Sequence, residues 1–148
     1  MGEIAKPIPL HVWQDPQGDV VLKHSLSECA VYYDCWTNAG EPADYICEPQ
    51  FNHAWMVRGH CSEHLTYQVN QGSSRSDIYK IENSTWLRQA SQRRATDYPN
   101  WRDWDEKEYC HFVVQGHDNY YEIIATGYSE KQIPYEEAGE LKRLVDEG

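Results

Sequence analysis

The fold is decided by residues 109–126, Tyr109-Cys110-His111-Phe112-Val113-Val114-Gln115-Gly116-His117-Asp118-Asn119-Tyr120-Tyr121-Glu122-Ile123-Ile124-Ala125-Thr126. Two runs rich in β-branched and aromatic residues flank Gly116-His117-Asp118-Asn119, a stretch of turn formers. The pattern predicts an antiparallel hairpin with strands at 109–115 and 120–126. Side chains alternate across a strand, so Cys110, Phe112 and Val114 should face inward with Tyr121, Ile123 and Ala125.

The upstream sequence reads the same way. Strands at 10–14 and 19–24 flank Asp15-Pro16-Gln17-Gly18, where Pro at the second position and Gly at the fourth suit a type I turn closing a hairpin. A strand at 29–36 places Cys29, Val31, Tyr33 and Cys35 on one face and Ala30, Tyr32, Asp34 and Trp36 on the other. A short strand at 45–47 should stop at Pro49. Strands at 51–59 and 64–70, joined by His60-Cys61-Ser62-Glu63, read as a further hairpin. Residues 71–77 are polar, rich in Ser, and read as a loop, with a short strand at 78–81.

Two helices follow from caps and stripes. Asn83 or Ser84 can cap the first, which shows Trp86, Leu87 and Ala90 as its apolar stripe and fades near Ala95. The second spans 134–146. Pro134 sits in its first turn, Glu136 and Glu137 lie at the positive end of its dipole, and Lys142 and Arg143 lie nearer the negative end. Leu141, Leu144 and Val145 form its apolar face. The expected class is α+β: a largely antiparallel β-sheet built from hairpins, with two helices packed on one face, in a single domain covering residues 1–148.

Composition narrows the function classes. At 148 residues, 40% hydrophobic and 25% charged, the chain is long enough to bury a core without staples. No stretch approaches the roughly 18 apolar residues of a membrane helix, and residues 1–10 are too short and polar for a signal peptide. The expected setting is soluble and cytoplasmic, with all five cysteines free, since an odd number argues against a complete disulfide framework. Thirteen basic against 24 acidic residues give a net charge of −11. That field opposes nucleic acid and anionic membranes and favours a basic partner.

Six Trp and eleven Tyr stand against two Phe. Trp and Tyr suit places apolar at one end and wet at the other. They concentrate at Tyr98-Pro99-Asn100-Trp101-Arg102-Asp103-Trp104, next to a basic cluster of Lys80, Arg88, Arg93, Arg94 and Arg102. Rings interleaved with charges suit a boundary with a ligand or partner. The expected binding surface is therefore Tyr98, Trp101, Arg102 and Trp104, with His117 and Arg88. The competing reading is a structural lid whose rings cap the sheet.

Other chemistry is weaker. His117-Asp118, with Glu122 nearby, begins an acid–base pair, but a tight turn wants the same residues. His60, Cys61 and His64, with His53 or Cys47, offer zinc donors, yet neither a CxxC pair nor HExxH accompanies them. The sequence also lacks GxSxG and a Gly-rich phosphate loop. No catalytic residue and no cofactor is assigned. The expected function is a non-catalytic binding or protein-interaction module, acidic, with an aromatic and arginine surface that meets a protein or small ligand. A small-molecule-binding protein or enzyme with an aromatic-lined pocket is the alternative, and a metal protein using His60, Cys61 and His64 the third. Oligomeric state stays open.

Overall fold

The 109–126 hairpin forms as read. In the computed structural model, which describes residues 2–8, 13–26, 28–37, 39–69 and 78–147, its strands are Cys110–Gln115 and Tyr120–Ala125, in register from Tyr120 opposite Gln115 to Ala125 opposite Cys110. Phe112, Val114, Ile123 and Ala125 are buried in the main core, with Cys110 and Tyr121 packed against it. Gly116 is required at the tip: a Cβ there would lie 2.6 Å from the Asn119 side chain and 2.9 Å from the Asp19 and Val20 backbone.

In chain order the elements are β1 (Ile4–Pro7), β2 (Trp13–Gln14), β3 (Val21–His24), β4 (Cys29–Trp36), β5 (Pro42–Asn52), β6 (Met56–His60), β7 (Gln68–Val69), β8 (Ile78–Glu82), α1 (Thr85–Asp97), a 3-10 turn (Trp101–Asp103), β9 (Cys110–Gln115), β10 (Tyr120–Ala125), β11 (Gly127–Pro134), α2 (Tyr135–Ala138) and α3 (Glu140–Glu147). They form two sheets. The first runs β6-β10-β9-β8-β1-β7, antiparallel except for the β1–β7 pair. The second runs β11-β5-β4, with β2 and β3 both on the far edge of β4. A bent ribbon links them. β5 turns at His53, whose φ is +49°, and continues as β6. Beside it β10 passes through Thr126 into β11, and the Thr126 N–H bonds the Asn52 carbonyl at 2.9 Å.

The main core lies between the sheets. Cys29, Val31, Tyr33 and Cys35 of β4 meet Ile78, Phe112, Val114 and Ile123 there. The alternate residues Ala30 and Tyr32 face the other way, under Ala138 and Val145 of the C-terminal helices. The fold is thus α+β and mainly antiparallel. At finer detail each sheet has its own helical cover: α1 lies over β9 of the first, while α2 and α3 lie over β5 and β4 of the second.

Several local expectations need correction. The Asp15–Gly18 turn forms, with the Gly18 N–H on the Asp15 carbonyl at 3.3 Å, but its flanking strands both pair with β4 and not with each other. Residues 10–12 and the 71–77 loop lie outside the described residues. β5 runs straight through Pro49, because its ladder to β4 registers at Cys47 and Gln50, on either side of the residue that lacks an N–H. The 51–70 hairpin does not form: β6 pairs with β10 and β7 with β1. The last helix breaks at Gly139, which takes φ +53°. Finally, Cys35 and Cys47 are disulfide-bonded between β4 and β5, leaving Cys29, Cys61 and Cys110 free. An odd count excludes complete pairing but permits one bridge.

Candidate functional site

α1 is positioned from its first residue. Ser84 is the N-cap, its hydroxyl accepting the Leu87 N–H at 3.0 Å. The helix has no fully buried residue. It is held instead by rings and ion pairs, and these build the aromatic site. The Arg94 guanidinium sits 4.7 Å from the Trp55 ring, 4.7 Å from Trp101 and 4.8 Å from Trp104. It donates to Asp105 at 2.8 Å. Asp105 is buried and also accepts from the Tyr109 hydroxyl at 2.8 Å and the Lys107 N–H at 3.1 Å. Burial pushes its carboxyl up, but these hydrogen bonds outweigh burial and hold it at about 2.

This cage fixes the 98–109 segment against α1 and leaves a groove beside it. The groove has a volume of about 690 Å3 and is lined by Trp55, Met56, Ala90, Arg93, Arg94, Asp97, Tyr98 and Trp104. Tyr98 and Trp104 stand edge to face, 6.1 Å apart. They are 58% and 56% exposed, and Met56 across from them is 37% exposed. At the rim Arg93 pairs with Asp97 at 3.1 Å.

The residues expected to form one surface therefore separate. Tyr98 and Trp104 flank the groove. Trp101 is buried beneath it, 6% exposed, and belongs to the lid reading. Arg102 stacks on Trp101 at 4.1 Å and donates to the Lys107 carbonyl at 2.7 Å, away from the groove lining. Arg88 is exposed and donates to Thr85 one turn earlier. His117 lies at the far tip of the β9–β10 hairpin, a strand length of roughly 20 Å from Tyr109. There its N–H bonds the Gly18 carbonyl at 2.9 Å, and the Asn119 side chain clasps both backbone groups of Val20. The Asp118 carboxylate raises the His117 ring above its ordinary value. This tip clamps the Asp15–Gly18 turn.

A second cluster went unread in the sequence. Glu122, 1% exposed on the outer face of β10, accepts from four side chains. Arg58 donates at 2.7 and 3.2 Å, His60 at 2.6 Å and His111 at 2.8 Å, and the Tyr67 hydroxyl is the fourth donor. Burial raises its carboxyl, but the bonds from His111, Arg58, Tyr67 and His60 prevail and hold it far below the ordinary range. The far nitrogen of His111 lies 2.7 Å from the Ser84 hydroxyl, and Trp86 covers both Arg58 and the His111 ring. The available signal was parity: Cys110 and Phe112 face the core, so His111 and Glu122 share the opposite face with the apolar Val113 and Ile124. A polar pair among such residues marks a second buried face.

The zinc reading finds no support in this geometry. His60 turns to Glu122, while His64 and Cys61 are exposed. Among the described residues no three His, Cys, Asp or Glu side chains are placed to hold a metal ion. A hollow of about 340 Å3 lies by Lys23, Glu28, Cys29, Tyr32, Gln50 and His53. Burial pushes the Cys29 thiol up to about 11, which disfavours a thiolate nucleophile. Among the described residues no helix is long and apolar enough to cross a membrane. Comparison with known proteins finds no matching family, curated protein or solved structure.

Proposed function

We propose that the chain is a binding module whose contact surface is the groove between α1 and the 98–104 segment. Its partner is a protein with a basic surface that inserts an apolar anchor. The observation carrying this reading is the convergence of Met56, Tyr98 and Trp104, all substantially exposed, on one groove. Leaving such side chains in water forgoes the free energy of burying them, and Tyr and Trp are enriched at binding hot spots. The Arg94–Asp105 cage beneath supplies a rigid platform, which lowers the ordering cost of association. A net charge of −11 favours encounter with a cationic partner. The anchor itself is apolar, because the groove offers Met56, Tyr98 and Trp104 while its arginines are already paired, Arg93 with Asp97 and Arg94 with Asp105.

The test is the double variant Tyr98→Ala/Trp104→Ala. Both side chains are more than half exposed, so losing the Tyr98–Trp104 edge contact and the Trp104 contact with Arg94 should cost no more than about 2 kcal/mol and leave the chain folded. Peptides selected by display on the wild-type chain should be rich in Lys and Arg around an aromatic or aliphatic residue. Their affinity for the double variant should fall by about thirtyfold or more, the loss of one hot spot. Selected peptides that bind both proteins equally would refute the assignment.

A further inference from the structure

We propose that Ser84 is a nucleophile served by His111, with Glu122 as its positioning carboxylate, forming an acyl-transfer site for a carboxylic ester. Ser84 stands between β8 and α1, directly after Asn83, whose φ of +58° is left-handed for a residue other than glycine. Its Oγ lies 2.7 Å from His111 Nδ1, and Nε2 of that ring lies 2.8 Å from Glu122 Oε1. Hydrogen balance sets the direction of the chain. Glu122 is ionised and can only accept, so Nε2 carries the ring proton. Nδ1 is then the lone pair, and the Ser84 hydroxyl donates to it. A base on the hydroxyl and a carboxylate behind the base is the arrangement that activates serine. His111 and Glu122 are buried, 0% and 1% exposed, whereas Ser84 is partly exposed.

Ser84 also caps α1, and the two roles are compatible. Capping uses one Oγ lone pair for the Leu87 N–H and leaves the other for attack. The first-turn donors can be counted. The Thr85 N–H goes to Glu3, that of Leu87 to Ser84 Oγ and that of Arg88 to the Ser84 carbonyl. Among the described residues the Trp86 N–H is left over, as a donor for a developing oxyanion. In the reaction Ser84 Oγ bonds the ester carbonyl carbon and its proton passes to Nδ1. The tetrahedral oxyanion collapses, the C–O bond to the alcohol breaks, and the alkoxide takes that proton. Water then attacks the acyl-serine, giving its proton to Nδ1. Expulsion of Ser84 Oγ, which recovers the proton, releases the carboxylic acid.

The experiment treats the full chain with a fluorophosphonate and, separately, with p-nitrophenyl acetate, followed by mass mapping. A single adduct at Ser84 is expected in the folded chain, with p-nitrophenol released. Ser84→Asn keeps a strong helix cap but removes the nucleophile, and it should show no adduct at that position. His111→Gln should react at least a hundredfold more slowly. Labelling of the wild-type chain should vanish in urea, which tests the fold requirement independently of either variant. No adduct at Ser84, an equal rate in His111→Gln, or a rate that survives unfolding would each overturn the proposal.

Discussion

Val145 and Leu144 are chain neighbours with opposite fates. Val145 is 3% exposed, packed near Ala30, Tyr32 and Ile46, while Leu144 is 38% exposed. Val145→Ala should therefore cost about 1–3 kcal/mol in denaturant unfolding, the loss of two buried methyl groups plus a cavity. Leu144→Ala should cost less than about 0.5 kcal/mol; equal losses would show that the helix is misplaced. The apolar stripe Leu141-Leu144-Val145 was legible, but its phase was not. An unbroken helix from Pro134 would set one orientation, whereas Gly139 in the left-handed region ends α2 and lets α3 start afresh. His111 and Glu122 show the same limit. Alternation alone puts both on the face opposite Phe112. What covers that face comes from α1 and from Arg58, His60 and Tyr67, the last three separated from Glu122 by more than fifty residues.

Elements held by local chemistry were legible, and those held by distant partners were not. The β9–β10 hairpin carries its own turn and its own inward face. The 51–70 segment carries alternation but no turn that forces its halves together. β6 pairs with β10 instead, where Arg58 reaches Glu122 and Gly59 lies beneath Tyr121, whose ring a Cβ would meet at 2.8 Å. The 98–104 segment was read as either a binding surface or a structural lid; within it Trp101 is buried, beside the buried Asp105, while Tyr98 and Trp104 are exposed. The lid has a pH signature. Asp105 falls from an ordinary 3.8 to about 2 on folding. A depressed carboxyl contributes stability that is complete above its unfolded value and lost as pH falls through the folded one. Unfolding free energy should thus decline from pH 4 towards pH 2. Asp105→Asn should be less stable at pH 7 and flatter across that window. An unchanged slope would show that Asp105 does not hold the segment.

The whole molecule combines a disulfide, a dense aromatic inventory and an excess of acid. Thiol titration of the denatured, unreduced chain should find three free groups, from Cys29, Cys61 and Cys110; five would contradict the Cys35–Cys47 bridge. That bridge was illegible because Cys35 and Cys47 meet only through the β4–β5 pairing, whose register extends past Pro49. The class and the antiparallel pairing were legible because each rests on composition or local pattern. The groove needed Met56 and Trp55, delivered by the ribbon that crosses between the sheets. Its role as the contact surface is tested most directly by NMR, titrating a display-selected basic peptide into the labelled full chain. The Met56 methyl and the Trp104 indole N–H should shift together and saturably, while the His117 ring at the opposite hairpin tip stays still. Saturable shifts at His117 with none at Met56 and Trp104 would contradict the account.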